Sequence, residues 1–411
     1  MMRVAIISST FLPSHDGVSI TSFERVKKLS EMGHSALCFV SSYEAIADIY
    51  PDWSQYVGHI FENVEVVALP SQEWMEVKQE RNPKRQSLDI INQRLAQFKP
   101  DIIEIDEPER LWTTLFTLPG LAYAKANNIP YIACYRTNFV DYLQDYIPGL
   151  LVGIAKLAAI QLTKWIYNQC SRTLIGSQFI KQKLINWGIK NVDYEQVVGP
   201  PLVENPELLE NPTFFYENYG LEEIDQSVKI LFLSRLSPDK NWDFNCQHLP
   251  RLKTQAIHKK YTILIAGQGE LEEEIAASDF AKILPTFMLG TVPHEQIPQL
   301  LANVDLHVCS SLKETFGRTV QESFYAGTPV LVPDCDWTQN LVDPDINGVL
   351  YQPQNGQDFI KKLAHLINTP GDRQKMKKNI LATQSRQKDP AYTWIEYLQK
   401  MVNSTQKSIN K

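Results

Sequence analysis

Two glutamates, Glu314 and Glu322, stand eight positions apart in the stretch KETFGRTVQESFYAGTPV, with Phe316-Gly317 between them and Gly327-Thr328-Pro329 near its end. The stretch reads as loop, helix, turn and strand. Glu314 falls in the loop, Gly317 permits close approach of backbone to a ligand, and Thr319 to Tyr325 carries a short helical pattern that Gly327 ends. Unpaired N–H groups at such a helix start favour an anion such as a diphosphate, and two carboxylates facing the same space accept hydrogen bonds from sugar hydroxyls. A nucleotide sugar offers both partners at once.

Other residues of suitable chemistry follow apolar runs. After KILFLSR, a loop carries Arg235 and Lys240 five residues apart, two cations that can clamp a diphosphate or stand solvated on a surface. Gly267-Gln268-Gly269 begins like a dinucleotide fingerprint, but Glu272 occupies the place of the third glycine, so a structural turn is the better reading. Asp334-Cys335-Asp336 has the spacing of a divalent-cation pair and equally of a solvated acidic loop. Nearer the start, Ser14-His15-Asp16-Gly17-Val18 follows the first run and opens a helix whose amides can face a diphosphate. Asp16 there either accepts from an acceptor hydroxyl or caps the helix. The run DIIEID ends among Glu104, Asp106, Glu107 and Glu109, which either bind acceptor hydroxyls, Asp106 and Glu107 foremost, or form an exposed acidic loop. Arg136, in YIACYRTNF, stays charged and cannot act as a general base. It can stabilise a departing diphosphate or pair with Asp141 or Glu104. From Ile147 to Val192 there is no acidic residue, while Lys156, Lys164, Arg172, Lys181, Lys183 and Lys190 interrupt apolar and aromatic residues. That stretch is either a core helix followed by a buried strand or a helix lying on an anionic bilayer with its lysines snorkelling.

Positioning these residues calls for two α/β domains, because 411 residues exceed the usual single-domain range. RVAIIS, ALCFVSS, DIIEID, YIACY and RTLIGS alternate with amphipathic stretches, the first with Ile20, Phe23, Leu29 and Met32 on one face and Gly33 at its end. A second series, KILFLSR, YTILIAG, FMLG, LHVCS, PVLVP and GVLYQ, begins after residue 225. Two parallel-sheet, Rossmann-like domains are expected, over residues 1–200 and 226–390, joined by a proline-rich connection over 201–225 and followed by a helix and a frayed polar tail over 391–411. Ligands bind outside the carboxyl ends of strands in such sheets, which is where the acids, cations and glycines named above fall.

Forty basic against 47 acidic residues give a net charge of −7, with no basic tail or aromatic-basic motif, so nucleic acid is not an expected partner. The six cysteines are scattered without C-x-x-C pairs or a metal spacing, which fits reduced thiols and a cytoplasmic setting. The opening run is too short for a signal peptide, and no window holds the about 18 apolar residues of a membrane-spanning helix.

The two glutamates, with Phe-Gly and Gly-Thr-Pro at their spacing, resemble the signature of the retaining GT-B glycosyltransferases numbered family 4. The resemblance covers roughly the whole second domain and the first more thinly. It implies the GT-B fold, two Rossmann-like domains facing a cleft, with the acceptor bound mainly by the first and a nucleotide sugar, a UDP-sugar in the first instance, by the second. Carried over onto the matching positions, Glu314 holds the sugar hydroxyls near the reacting carbon, Glu322 takes the ribose diol, and the Phe316-Gly317 backbone meets the sugar's edge. Arg235 and Lys240 match the phosphate-binding residues of a Gly-Arg-Leu…Glu-Lys-Gly element, with Ser234 and Asn241 in place of its glycines. Gly267 marks a turn beside the nucleotide, and Gly290 and Val292 belong to a backbone segment that meets the base. Gly17 remains of a Gly-Gly loop whose first place is Asp16, and Arg136 stands where the family has His. Trp337 departs from the family's small residues and either narrows the donor pocket or meets the acceptor.

With the helix N-terminus and the Arg/Lys pair neutralising the diphosphate, the resemblance implies neither metal nor cofactor. The acidic strand end with Tyr-Arg-Thr-Asn-Phe also resembles branches acting on diacylglycerol lipids, which implies a lipid acceptor and peripheral contact with the cytoplasmic face of an anionic membrane. Transfer to a soluble sugar, sugar phosphate or polysaccharide is one alternative, and an inactive sugar-nucleotide-binding scaffold is another. An epimerase of the same fold would be expected to show a different carboxylate and His set.

Overall fold

Runs dense in Val, Ile and Leu form strands buried on both faces, as parallel sheets require. The computed structural model describes residues 1–14, 16–74, 77–146, 149–194, 203, 206–221, 224, 226–384 and 389–409. The expected boundary near residue 200 and His15 lie outside them. The chain divides into two compact units, Met1–Pro201 with Asp389–Lys411, and Leu202–Lys388.

In the first unit the strands are β1 Arg3–Ile7, β2 Ser35–Ser41, β3 Gly58–Phe61, β4 Val64–Leu69, β5 Ser71–Trp74, β6 Val77–Pro83, β7 Ile102–Asp106, β8 Tyr131–Cys134, β9 Arg172–Ile175 and β10 Val192–Tyr194. Eight of them form one sheet in the order β10-β9-β8-β7-β1-β2-β4-β3, with only β3 antiparallel to its neighbour, and β5 and β6 make a separate hairpin. The five expected runs are all strands here. The hairpin strands SQEW and VKQERNP were not expected because they carry too few apolar residues to show a period. Chain order reverses at β1 and β7, so the loops after those two strands flank the crevice.

In the second unit, β11 Val228–Leu233, β12 Tyr261–Ala266, β13 Thr286–Gly290, β14 Leu306–Val308, β15 Val330–Pro333 and β16 Gly348–Tyr351 lie parallel in the order β13-β12-β11-β14-β15-β16. This is the doubly wound order of nucleotide-binding sheets, and its switch point falls between β11 and β14. The described part of 201–225 does more than connect. Its helix Phe214–Tyr219 buries Phe214 and Phe215 against Leu231, Leu264 and Leu300, and Asn303 ties down both Leu209 and Asn211.

The helix Pro390–Ile409 belongs to the first unit and carries on through the polar tail, where fraying was expected. Trp394, Ile395 and Leu398 bury its inner face. Trp394 lies beneath the Arg25 guanidinium, 4.6 Å from its carbon to the ring centroid, and its Nε1 donates to Glu104 Oε2 at 2.7 Å. Arg25 Nη1 in turn donates to Glu104 Oε1 at 2.6 Å. Burial would push the Glu104 carboxyl upward, and these two donors oppose that. Glu109 is buried too, with the Tyr167 hydroxyl donating to its Oε2 at 2.5 Å and desolvation raising its pKa to about 8.

Two expectations follow. Trp394→Phe keeps a ring over Arg25 but leaves a buried Glu104 oxygen without its donor, so the first unit should lose about 1–3 kcal/mol in chemical denaturation; an unchanged midpoint would show that the indole N–H contributes nothing. Glu109 is protonated when folded up to about pH 8 but ionises when unfolded above its ordinary value, so the unfolded state binds fewer protons across that window. Stability should therefore fall as pH rises from about 4.5 to about 8, at a slope that approaches on the order of 1.4 kcal/mol per pH step in the middle of the window. Glu109→Gln should flatten that slope.

Candidate active site

In the second unit the loop after β11 lies on the turn after β12. Leu236 is buried and its N–H donates to Gln268 O at 2.9 Å. Gly267 has φ +131°, and a Cβ there would come within 1.9 Å of Ser234 O, so glycine is required by backbone packed on backbone. Arg235 projects outward, with 70% of its side chain exposed, and pairs with Asp239 at 3.0 Å. Lys240 turns inward. Its Nζ lies 2.7 Å from Glu314 Oε1 and 3.4 Å from Asp239 Oδ2. Burial alone would depress this ammonium, but the two carboxylates hold it above the ordinary lysine range. The loop after β14 is fastened to the same place, because Asn241 Nδ2 donates to Ser310 O at 3.1 Å and Asn245 Nδ2 to Ser310 Oγ at 2.7 Å.

Gly317 takes the left-handed conformation, φ +59°, as the N-cap of the helix Arg318–Tyr325. A Cβ there would lie 2.5 Å from the Trp337 ring. Trp337 is buried among Val320, Val330 and Val332 and donates to Ser311 O at 3.1 Å, so it supports the loop from within. Gln321 Nε2 holds the Phe316 carbonyl at 2.6 Å. Glu322, one turn into the helix, accepts from Arg318 Nε at 2.8 Å, and Arg318 Nη2 lies 3.2 Å from His294 Nε2. His294 follows Gly290 and the half-buried Val292 in the loop after β13. Lys240 and Glu314 are thus paired with each other, and Glu322 is paired with Arg318. Asp239, Arg318 and His294 were missed, although Asp239 adjoins Lys240 and Arg318 stands four residues before Glu322 on one helix face.

In the first unit the strand-end acids are not an exposed loop. Glu104, Asp106, Glu107 and Glu109 are all buried. Arg136 fulfils the ion-pair alternative with a different partner: its Nε donates to Asp106 Oδ1 at 2.8 Å and its Nη2 to Oδ2 at 3.4 Å, and Ser22 Oγ adds a bond at 3.2 Å. Glu107 stands in the left-handed region at φ +48°. Its carboxylate is shared among Thr137 Oγ1, Ser9 Oγ at 3.4 Å and the Arg110 guanidinium at 3.9 Å, with desolvation raising its pKa to about 7. Asp16 caps the helix Gly17–Glu31: Oδ1 accepts from Val18 and Ser19 N–H groups at 2.8 and 2.9 Å, and Oδ2 from the Ser14 and Ser19 hydroxyls, both at 2.7 Å. The carboxylates expected to meet an acceptor are therefore engaged with protein.

Among the described residues, Glu104, Asp106 and Cys134 form the one cluster with metal-binding spacing. Arg25 and Arg136 already supply its countercharge, with Arg25 Nη1 also 3.6 Å from Cys134 Sγ. Asp334 and Asp336 are exposed.

The acid-free stretch forms the helix Gly149–Tyr167, the strand β9 and the helix Gln178–Asn186. Two of its six cations are paired with acids outside the stretch, Lys183 with Asp141 at 2.5 Å and Arg172 with Asp193 at 3.1 Å. What the first helix exposes is apolar: Leu151 at 56%, Ile154 at 70%, Leu157 at 60% and Trp165 at 52%, spaced for one face. Phe116, 65% exposed, continues the patch through Trp112, whose ring stands 5.8 Å from Phe116 and 6.4 Å from Trp165. Among the described residues no helix is long and apolar enough to cross a membrane.

Residues 15–197 match the model of glycosyltransferase family 4, and residues 220–382 that of glycosyl transferases group 1. The chain is 26% identical to a GDP-mannose-dependent alpha-mannosyltransferase of Mycolicibacterium smegmatis, over 85% of this chain and 84% of that one. It is 23% identical to the alpha-monoglucosyldiacylglycerol synthase of Streptococcus pneumoniae, over 85% and 75%. Among solved structures, HepE of Anabaena in complex with UDP matches with a TM-score of 0.69 at 16% identity, over 98% of this chain and all of the other. With both halves matched and the doubly wound sheets in place, the chain belongs to the family-4, group 1 glycosyltransferases and has their GT-B fold.

Proposed function

We propose that the protein moves a hexose from a nucleotide-diphosphate sugar, with retention of configuration, to the hydroxyl of a lipid held at a membrane surface. The observation that carries the donor half is Lys240, an inward cation at the switch point drawn between Glu314 and Asp239. A diphosphate would take over Lys240 and Arg235, leaving Glu314 for the sugar hydroxyls, Glu322 for the ribose diol and the amides at Gly317 for the phosphate. In the transfer, the bond from the sugar's anomeric carbon to the diphosphate oxygen breaks, a bond to the acceptor oxygen forms on the same face, and the acceptor proton passes to the departing diphosphate. Such a route asks for stabilised negative charge more than for a protein base. That agrees with Arg136 at the family's His position and with the paired state of Asp16, Asp106 and Glu107.

The acceptor half is supported by the apolar helix face and its aromatic end, which suit a bilayer's interfacial region. Uridine is the base expected from the sequence. Guanosine is a second reading, favoured by relatives named for GDP-mannose from Mycolicibacterium smegmatis and Corynebacterium glutamicum, each spanning at least 85% of this chain.

The two glutamates should fail differently. Glu322→Gln removes a charged acceptor from the ribose and should weaken free nucleoside diphosphate by about 1.5–3 kcal/mol. Glu314→Gln should leave that affinity undiminished, because Glu314 competes with the diphosphate for Lys240, while abolishing turnover. Calorimetry showing equal losses in both variants would refute the assignment. For the membrane, Ile154→Glu with Leu157→Glu should release the protein from anionic vesicles, and binding by the unmodified protein should persist in high salt, since each buried aliphatic side chain contributes about 1.5–3 kcal/mol. If the unmodified protein does not sediment with vesicles, the soluble-acceptor reading takes precedence.

A further inference from the structure

A histidine inside the second sheet reaches across to the helix that begins at Arg318. His307 is the middle residue of β14, in register with Leu231 on one side and Val330 on the other, and it is fully buried. Its Nδ1 lies 2.7 Å from Ser323 Oγ, and that hydroxyl donates to Thr319 O at 2.7 Å. Oγ can accept from Nδ1–H while it gives its single proton to Thr319. Desolvation keeps the ring neutral, with its pKa lowered to about 3. A buried imidazole costs more than an apolar side chain of its size unless it is bonded, so the row from His307 through Ser323 to Thr319 accounts for its presence.

The contact between His307 and Ser323 spans 16 positions, and the segment between its ends holds Glu314, Phe316 and Gly317. That segment is pinned near its start, where Asn241 and Asn245 bind Ser310 and Trp337 binds Ser311. At its far end the N–H groups of Val320 and Gln321 close the first helical turn on Gly317 O at 3.0 and 3.1 Å. Val320 packs that turn on the core, but apolar packing has no direction, whereas the hydrogen-bonded row does. We infer that His307 is a positioning residue for the transfer: acting through Ser323, it fixes the first turn of the helix on β14 and so sets where Glu314 and Gly317 stand. That these two meet a donor rests on the nucleotide-sugar reading of the site.

Two substitutions at one position separate positioning from packing. His307→Leu keeps the volume and loses the polar atom, while His307→Asn keeps a donor and an acceptor at the δ position and loses volume. On the folded full chain, the release of nucleoside diphosphate from UDP-glucose and from GDP-mannose is measured beside amide hydrogen exchange. His307→Leu should lower kcat on the order of tenfold for whichever donor the unmodified protein uses. It should also speed exchange at Val320 and Gln321 by on the order of tenfold while leaving the amides of β11 and β12 unchanged. His307→Asn should recover most of both. Ser323→Ala breaks the row from its other side, should repeat the His307→Leu result, and carries the test if His307→Leu does not fold. An undiminished kcat in His307→Leu, a loss that His307→Asn does not recover, or unchanged exchange at Val320 and Gln321 overturns the inference and leaves the nucleotide-sugar reading standing. If the unmodified protein releases diphosphate from neither donor, that reading falls, and exchange at the two amides alone decides whether His307 fixes the helix.

Discussion

A largely enclosed ammonium needs a counter-charge, and Lys240 imposes that constraint on the loops around it. An uncompensated buried charge costs several kcal/mol, so Glu314 and Asp239 must stand close enough to hold it. That requirement draws the loop after β14 onto the loop after β11, with Asn241 and Asn245 closing the seam through Ser310. Gly267 lets the turn after β12 come up beneath, and Gly317 lets Trp337 pack under the helix start. The glycines, the tryptophan and the two asparagines are all consequences of placing charged groups at a sheet's switch point.

The first unit solves a similar problem in the opposite sense. Four acids gather at the end of β7, and the unit neutralises them from within. Arg25 and Trp394 serve Glu104, Arg136 serves Asp106, and Arg110 with Thr137 and Ser9 serve Glu107. Trp394 comes from a helix 290 positions further along the chain, so the last segment of the sequence completes a charge network at the centre of the first sheet. Such networks fix side-chain positions more than they add stability. In the proposed reaction they hold the carboxyl end of this sheet rigid while the leaving group, not a protein carboxylate, takes the acceptor's proton.

Much of this was legible in the sequence where period and composition agree. KILFLSR, YTILIAG and DIIEID declare themselves as strands, and the Glu314 to Glu322 spacing places a loop and a helix correctly. What stayed hidden were partnerships across long separations. Asp16 reads equally well as a cap and as a reactive group until its four donors are seen. The acids after β7 look solvent-exposed because their counter-ions come from positions 25, 110 and 136. In the acid-free stretch, Lys183 and Arg172 likewise find their acids just outside it, in Asp141 and Asp193. The helix Gly149–Tyr167 carries Lys156 and Lys164 and exposes Leu151, Ile154, Leu157 and Trp165.

Under the proposed reading, the self-paired state of Lys240, Glu314 and Glu322 also gives a reason for a complete donor to suit the second unit better than its fragments. A free nucleoside diphosphate that displaced Glu314 from Lys240 would leave that carboxylate with its cation taken away. Sugar hydroxyls supply the donors that Glu314 then lacks, so the sugar half offsets a cost that the diphosphate half incurs. The same exchange would operate at Glu322, whose oxygen is held by Arg318 and which the proposed reading gives to a ribose diol. Each half of the proposed donor would thus meet a carboxylate already paired without it, and a ligand presenting phosphate, ribose and sugar together would satisfy every group the exchange exposes. Discrimination in such a site comes from leaving buried polar groups unpaired when the wrong ligand binds, which is the stronger route to specificity where apolar contacts alone give little.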